Sequence, residues 1–167
     1  MPICSTSTRI LTGVVALALV ASACSGGDEE AVVTTVVDGA PFTGMPIPDG
    51  VDLSGPVLAV KIDNHPDSRP QTGLDQADMV IEMRAEGVTR FMAIYHSTQP
   101  EPVGPVRSSR TSDFDLLRGL STPLYASSGG NNYVASGLRS LPVIAVTALT
   151  EKVYFRDNVH PAPHNLY

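Results

Sequence analysis

The apolar stretches of this chain are short, and each is closed by proline, glycine or a polar cluster before a long helix could form. Pro56-Val-Leu-Ala-Val-Lys-Ile62 stops at Asp63-Asn64. Met79, Ile81 and Met83 alternate with Val80, Glu82 and Arg84, and Arg90-Phe-Met-Ala-Ile-Tyr-His96 runs out ahead of Pro100, Pro102 and Pro105. Short runs and a period of two are strand signatures. Ala85-Glu-Gly-Val-Thr89 suits a hairpin loop between the second and third of these runs. Leu124 to Ser128, Val143 to Val146 and Val153 to Phe155 predict further strands. Two segments predict helices. Ser112 to Leu120 has Ser112 as its cap, Asp115 completing a capping box, and Asp113 and Asp115 at the positive end of the dipole. Tyr133 to Leu141 is the other, stopped by Pro142. Interleaved strands and helices predict an α/β fold: a mixed β-sheet with helices on its faces, rich in loops.

The first forty residues follow different rules. Arg9 precedes the uncharged run Ile10 to Val20, and Ala21-Ser22-Ala23-Cys24 follows. A positive residue, a short apolar stretch and small residues before a cut point make an export signal. A retained membrane span needs about 20 apolar residues, and this run gives way sooner, to Ser25-Gly-Gly-Asp-Glu-Glu30. Residues 1–23 are therefore expected to be a signal peptide. The small residues before Cys24 resemble a lipobox, and that resemblance implies a diacylglyceryl thioether on Cys24 at the new N-terminus. The alternative is cleavage after Ala21-Ser22-Ala23 with release of a soluble protein. Residues 24–42, rich in Gly, acid and Val/Thr, are expected to be a flexible tether, although Ala31 to Val37 could form an edge strand. Cys4 leaves with the leader, so the domain has no cysteine pair for a disulfide.

Charge narrows the partners. The chain carries a formal net charge of −6, and all the acidic residues lie after Cys24. An acidic surface repels phosphate backbones, so nucleic acid is not an expected partner. The expected partners are the membrane, through lipidated Cys24, and an envelope protein or an anionic small-molecule or glycan ligand. The expected location is the cell membrane, lipid-anchored and facing the extracytoplasmic side.

Several ordered segments are similar to a known family. Thr43-Gly-Met-Pro46, Val60-Lys-Ile-Asp-Asn-His-Pro66, Arg69-Pro-Gln-Thr-Gly-Leu-Asp-Gln-Ala-Asp78 and Gly87-Val-Thr-Arg-Phe-Met92 resemble the YerB-like family of bacterial lipoproteins. So do Gly104-Pro-Val-Arg-Ser-Ser-Arg110, Phe155-Arg-Asp157 and Ala162-Pro-His-Asn-Leu-Tyr167. The resemblance covers residues 43–167. It implies a domain of unknown function, in proteins that carry a second, C-terminal domain. That part is missing here, so the fold is expected to be incomplete at its C-terminus and residues 43–167 to fold poorly alone.

The residues best suited to chemistry lie in loops. Asp63, Asn64, His65 and Arg69 follow a predicted buried strand, and ligands of α/β sheets collect at strand ends. Arg107 and Arg110 precede a predicted helix, and arginine offers a bidentate fork for phosphate or carboxylate. His164 and Asn165 close the chain. These eight residues are expected to converge in a ligand-binding cluster, the competing reading being that each caps its own loop. No cofactor and no metal site are expected: His160 and His164 have helical metal-ligand spacing, but Pro161 and Pro163 forbid the helix. Catalytic residues are not identifiable. There is no Gly-x-Ser-x-Gly elbow, and Glu82 with Glu86 gives no measurable carboxylate spacing. The expected role is a non-catalytic, lipid-anchored envelope domain. The alternative is an envelope enzyme acting on a phosphate-bearing or glycan substrate.

The anchor has a direct check. Replacing Cys24 with Ala should move the protein from the detergent phase to the aqueous phase, because each buried acyl methylene contributes about 0.8 kcal/mol to anchoring. Wild-type protein that partitions into water with no acyl mass at its N-terminus would contradict the assignment.

Overall fold

A computed structural model describes residues 38–167. The expected signal peptide, Cys24 and the Ala31 to Val37 stretch lie outside those residues. Five strands form one sheet in the order β2-β3-β1-β4-β5. They are β1 (Leu58–Asp63), β2 (Met79–Ala85), β3 (Val88–Tyr95), β4 (Leu124–Ser127) and β5 (Ile144–Thr147). Helix α1 (Asp113–Arg118) precedes β4, and helix α2 (Asn132–Arg139) joins β4 to β5. β1 pairs antiparallel with β3 and parallel with β4, and β4 pairs parallel with β5. The sheet is therefore mixed, as the alternation of strands and helices predicts. Among the described residues no helix is long and apolar enough to cross a membrane.

The β2–β3 hairpin turns on Glu86 and Gly87, at φ 52° and 88°. Two residues with positive φ fit the right-handed twist of the flanking strands, and glycine takes the second position without a Cβ penalty. β2 lies at the sheet edge, and only Ala85 of its residues is fully buried.

The two faces are covered differently. On one, Ala59, Met92, Ile94 and Tyr125 of the sheet meet Leu117 of α1 and Val134 and Leu138 of α2. On the other, Val60, Ile62, Ala93 and Tyr95 meet Val106 and loop residues such as Leu74, Val103, Tyr154 and Leu166. Both helices thus lie on the same face, and loops close the other. A helix must bury its apolar stripe against the sheet, whereas the proline-rich segments reach the core one side chain at a time.

Three local expectations are corrected. Ser112 occupies the cap position of α1 but makes no side-chain capping bond. The Asp113 carboxylate instead reaches back ahead of the helix and accepts the Arg110 backbone N–H at 2.8 Å. No strand forms at Val153 to Phe155. Tyr154 instead turns inward, its hydroxyl donating to the Val146 carbonyl at 2.7 Å and accepting from the Ser127 N–H at 3.1 Å, while Phe155 and Tyr167 exchange backbone hydrogen bonds. Residues 38–42, assigned to the tether, are in part packed. Ala40 is buried and its N–H donates to the Met45 carbonyl, and the Phe42 ring meets His96 edge-on.

The helical face holds a buried ion pair. Lys61 on β1 lies 2.6 Å from Asp113 at the start of α1, with both side chains essentially without exposure. The Tyr125 hydroxyl donates to the other Asp113 oxygen at 2.7 Å. Burial pushes the Lys61 ammonium below its ordinary pKa, and the Asp113 charge partly restores it. Removing one member of such a pair strands the other charge in the interior, at about 3–5 kcal/mol. Lys61→Met should therefore lower unfolding free energy by about that amount, and adding Asp113→Asn should recover part of the loss. Chemical denaturation of the two variants checks this; additive losses would show that the pair does not act as a unit.

Candidate functional site

The parallel strands β1, β4 and β5 end on the same side of the sheet, where the β2–β3 hairpin also turns. Pairing between β1 and β4 stops at Val60 and Ala126. Beyond it the strands part, and residues 105–107 enter the gap: the Arg107 N–H donates to the Lys61 carbonyl and the Ser128 N–H to the Arg107 carbonyl. Arg107 is thus built into the opening between two strand ends, the position where α/β sheets collect ligands.

Asp63, the last residue of β1, organises what surrounds it. Its carboxylate is 2% exposed and accepts from His164 Nδ1 at 2.7 Å. Arg107 Nε approaches the same oxygen at 3.2 Å, and the His65 backbone N–H donates to the other oxygen at 3.1 Å. Burial raises the pKa of this carboxyl, but the His164 and His65 hydrogen bonds and the Arg107 charge outweigh it and hold Asp63 below the ordinary carboxylate value. The imidazoles of His65 and His164 stack, with centroids 4.2 Å apart. Asp63, His65, Arg107 and His164 therefore do come together, across 101 residues of sequence in the case of Asp63 and His164.

The other four expected residues sit around this group in different roles. Asn64 is buried and braces the loop: its Oδ1 accepts from Arg69 Nη2 at 2.8 Å, and its Nδ2 donates to Thr89 Oγ1 at 2.7 Å. Arg69 is spent on that contact. Arg110 turns toward the hairpin, donating to both oxygens of Glu86 at 3.0 and 2.6 Å. Asn165 faces away from Asp63, accepting from Arg156 at 2.6 Å and donating to the Asp157 carbonyl. His160 likewise stays with Asp157 at 2.7 Å, so the two histidines spaced four apart in sequence serve separate carboxylates.

Arg90 and Arg156 are the residues that sequence reasoning missed. Arg90 stands opposite Asp63 in the sheet register and is buried, with Nη1 on the Ser108 carbonyl at 2.7 Å and Nε without a partner among the described residues. Burial and the neighbouring Arg110 and Arg107 charges push it below its ordinary pKa. The signal was present: Arg90, Met92 and Ile94 share the inward face of a strand, and a charge on that stripe must have company. Arg156 and Arg107 line one crevice of about 490 Å³, together with Ser128, Glu151, Tyr154 and Val106. Five arginines (Arg69, Arg90, Arg107, Arg110 and Arg156) thus gather at one end of a chain whose net charge is −6.

Residues 42–167 match the family described as "Protein of unknown function (DUF3048) N-terminal domain". The chain is 39% identical over 131 residues to YerB of Bacillus subtilis (strain 168), a protein named as a candidate lipoprotein. That alignment covers 77% of this chain and 39% of the relative. The crystal structure of the Bacillus subtilis YerB protein superposes with a TM-score of 0.68 at 36% identity, over 76% of this chain and 44% of that one. The chain spans less than half the length of the relative it matches.

Proposed function

The chain belongs to the family whose N-terminal domain is described as of unknown function (DUF3048), and we propose that it is an exported, lipid-anchored domain that binds an anionic ligand outside the cytoplasmic membrane. The similarity to a protein named as a candidate lipoprotein supports the anchoring, as does the leader ending at Cys24. One observation carries the binding: Arg107 and Arg156 enter the same crevice, at the carboxyl ends of β1 and β4. Among the described residues Arg107 Nε is held by Asp63 and its two terminal amino groups have no hydrogen-bond partner, which leaves them for a ligand. Arg156 is steadied through Nη1 by Asn165. A planar guanidinium whose stem is fixed in this way recognises phosphate or carboxylate with little ordering cost. Glu151 on the crevice wall disfavours a ligand that carries negative charge along its whole length, so the anionic group is confined to the Arg107–Arg156 side.

A second reading rests on His164. Its Nδ1 is bonded to a buried carboxylate, which is how a general base is oriented, and that pair would suit an enzyme acting on a phosphate-bearing or glycan substrate.

Inorganic phosphate, a single compact anion, is a suitable probe. It should raise the melting temperature of the wild-type protein, by mass action on the folded state, and the rise should vanish in Arg107→Ala and in Arg156→Ala. An equal rise in all three proteins would place the anion elsewhere.

A further inference from the structure

His65, Asp67 and His164 are separated by up to a hundred positions in sequence, yet one donor atom from each lies within 4.8 Å of the others. Two imidazoles and a carboxylate are the donor set that borderline and harder d-block dications accept. We propose that these three residues form a metal site for a zinc-type dication, on the rim of the Asp63 cluster.

His164 is the most tightly held of the three. Asp63 accepts from its Nδ1 at 2.7 Å, which fixes the proton on that nitrogen and turns the Nε2 lone pair outward. A carboxylate behind a histidine is the usual second layer of a metal site, where it sets the tautomer and raises ligand basicity. Asp63 is itself buried and bonded by Arg107, so the imidazole is held by a group that is not free to move. His65 is placed more loosely. It caps a short 3-10 turn, Pro66–Ser68, with Nδ1 accepting the Asp67 N–H at 3.2 Å. The lone pair therefore sits on Nδ1 and the proton on Nε2, so Nδ1 is the donor a metal would use, with Asp67 Oδ2 3.5 Å from it, and the metal would take the place of the Asp67 N–H. The two rings are stacked at 4.2 Å and 12°, so their lone pairs lie in nearly parallel planes, and the His65 ring would turn out of the stack to share a cation with His164.

Exposure agrees. The His164 side chain is 11% exposed, His65 37% and Asp67 56%, so the site deepens from an open carboxylate to an enclosed imidazole. Three protein ligands leave at least one position for water or a ligand atom. Zinc–nitrogen bonds of about 2.0–2.1 Å require the donors to draw together, which rotation of the exposed Asp67 and His65 side chains allows. The site is distinct from the Arg107–Arg156 crevice, and neither proposal depends on the other.

Calorimetric titration of zinc chloride into the full chain, purified in detergent, tests the site. One zinc per chain should bind. Affinity should fall at least tenfold in His65→Ala and in Asp67→Asn, both partly or largely exposed positions where folding is not at stake, and His164→Ala should abolish binding. His160→Ala, at the neighbouring histidine–aspartate pair, should bind zinc as the wild type does. Absence of zinc binding, unchanged affinity in both His65→Ala and Asp67→Asn, or loss confined to His160→Ala would each overturn the proposal.

Discussion

A buried carboxylate at the end of the first strand sets the order of everything near the site. Asp63 is almost fully removed from water, a position that disfavours its charged form. It remains ionised because His164, Arg107 and the His65 amide all converge on it. Its backbone is equally engaged, with the N–H on the Pro105 carbonyl and the carbonyl accepting from Gln71. One residue therefore fastens β1, the proline-rich segment around residue 105, and the chain's last residues. Tyr167 extends the same fastening: its ring lies so close to Gly104 that a Cβ there would come within 2.6 Å, and its hydroxyl meets Thr72 at 3.2 Å.

The helical face and the strand ends solve a shared problem with different charges. Where the helices pack, Lys61 and Asp113 neutralise each other in the interior and tie α1 to the central strand. At the strand ends, positive charge is in excess around Asp63 and Glu86, and the arginines there repel one another. Arg90 shows the cost most clearly, buried beside Arg107 and Arg110 with an Nε that has no partner among the described residues. A scaffold serving stability alone would gain from apolar replacements at such positions. Groups held in an unfavourable environment at strand ends are what binding sites require.

The architecture was legible because period-two runs and proline punctuation report backbone constraints that act locally. β1, β2, β3, β4 and β5 all fall on runs read as strands, and the Glu86-Gly87 turn sits where its glycine demanded. Val153 to Phe155 misled because three apolar residues match a strand pattern equally well when a single tyrosine reaches inward from a turn. The site was legible only in part. Residue types in loops pointed to Asp63, His65, Arg107 and His164, and the structure unites them. Arg110 and Asn165 have the same composition and neighbourhood, yet they face Glu86 and Arg156, because side-chain direction in an irregular loop has no periodicity to read. Lys61 was hidden inside a strand that otherwise reads as apolar, and its partner Asp113 comes from α1. That pairing depends on how the helix docks on the sheet, which the strand's own sequence does not contain.

The organising role of Asp63 is tested most directly by unfolding free energy measured against pH for the wild type and for Asp63→Asn. A carboxylate whose pKa is lower in the folded state than in the unfolded one contributes stability above its unfolded value of about 3.9, and that contribution is lost as pH falls through the folded value. Wild-type stability should therefore fall more steeply than that of Asp63→Asn as the solution is acidified below about pH 5. At neutral pH the variant should be less stable by about 1.5–3 kcal/mol, the range for a hydrogen bond to a charged group. Parallel curves, with no loss of stability at neutral pH, would show that the cluster is assembled without Asp63 and would contradict the account.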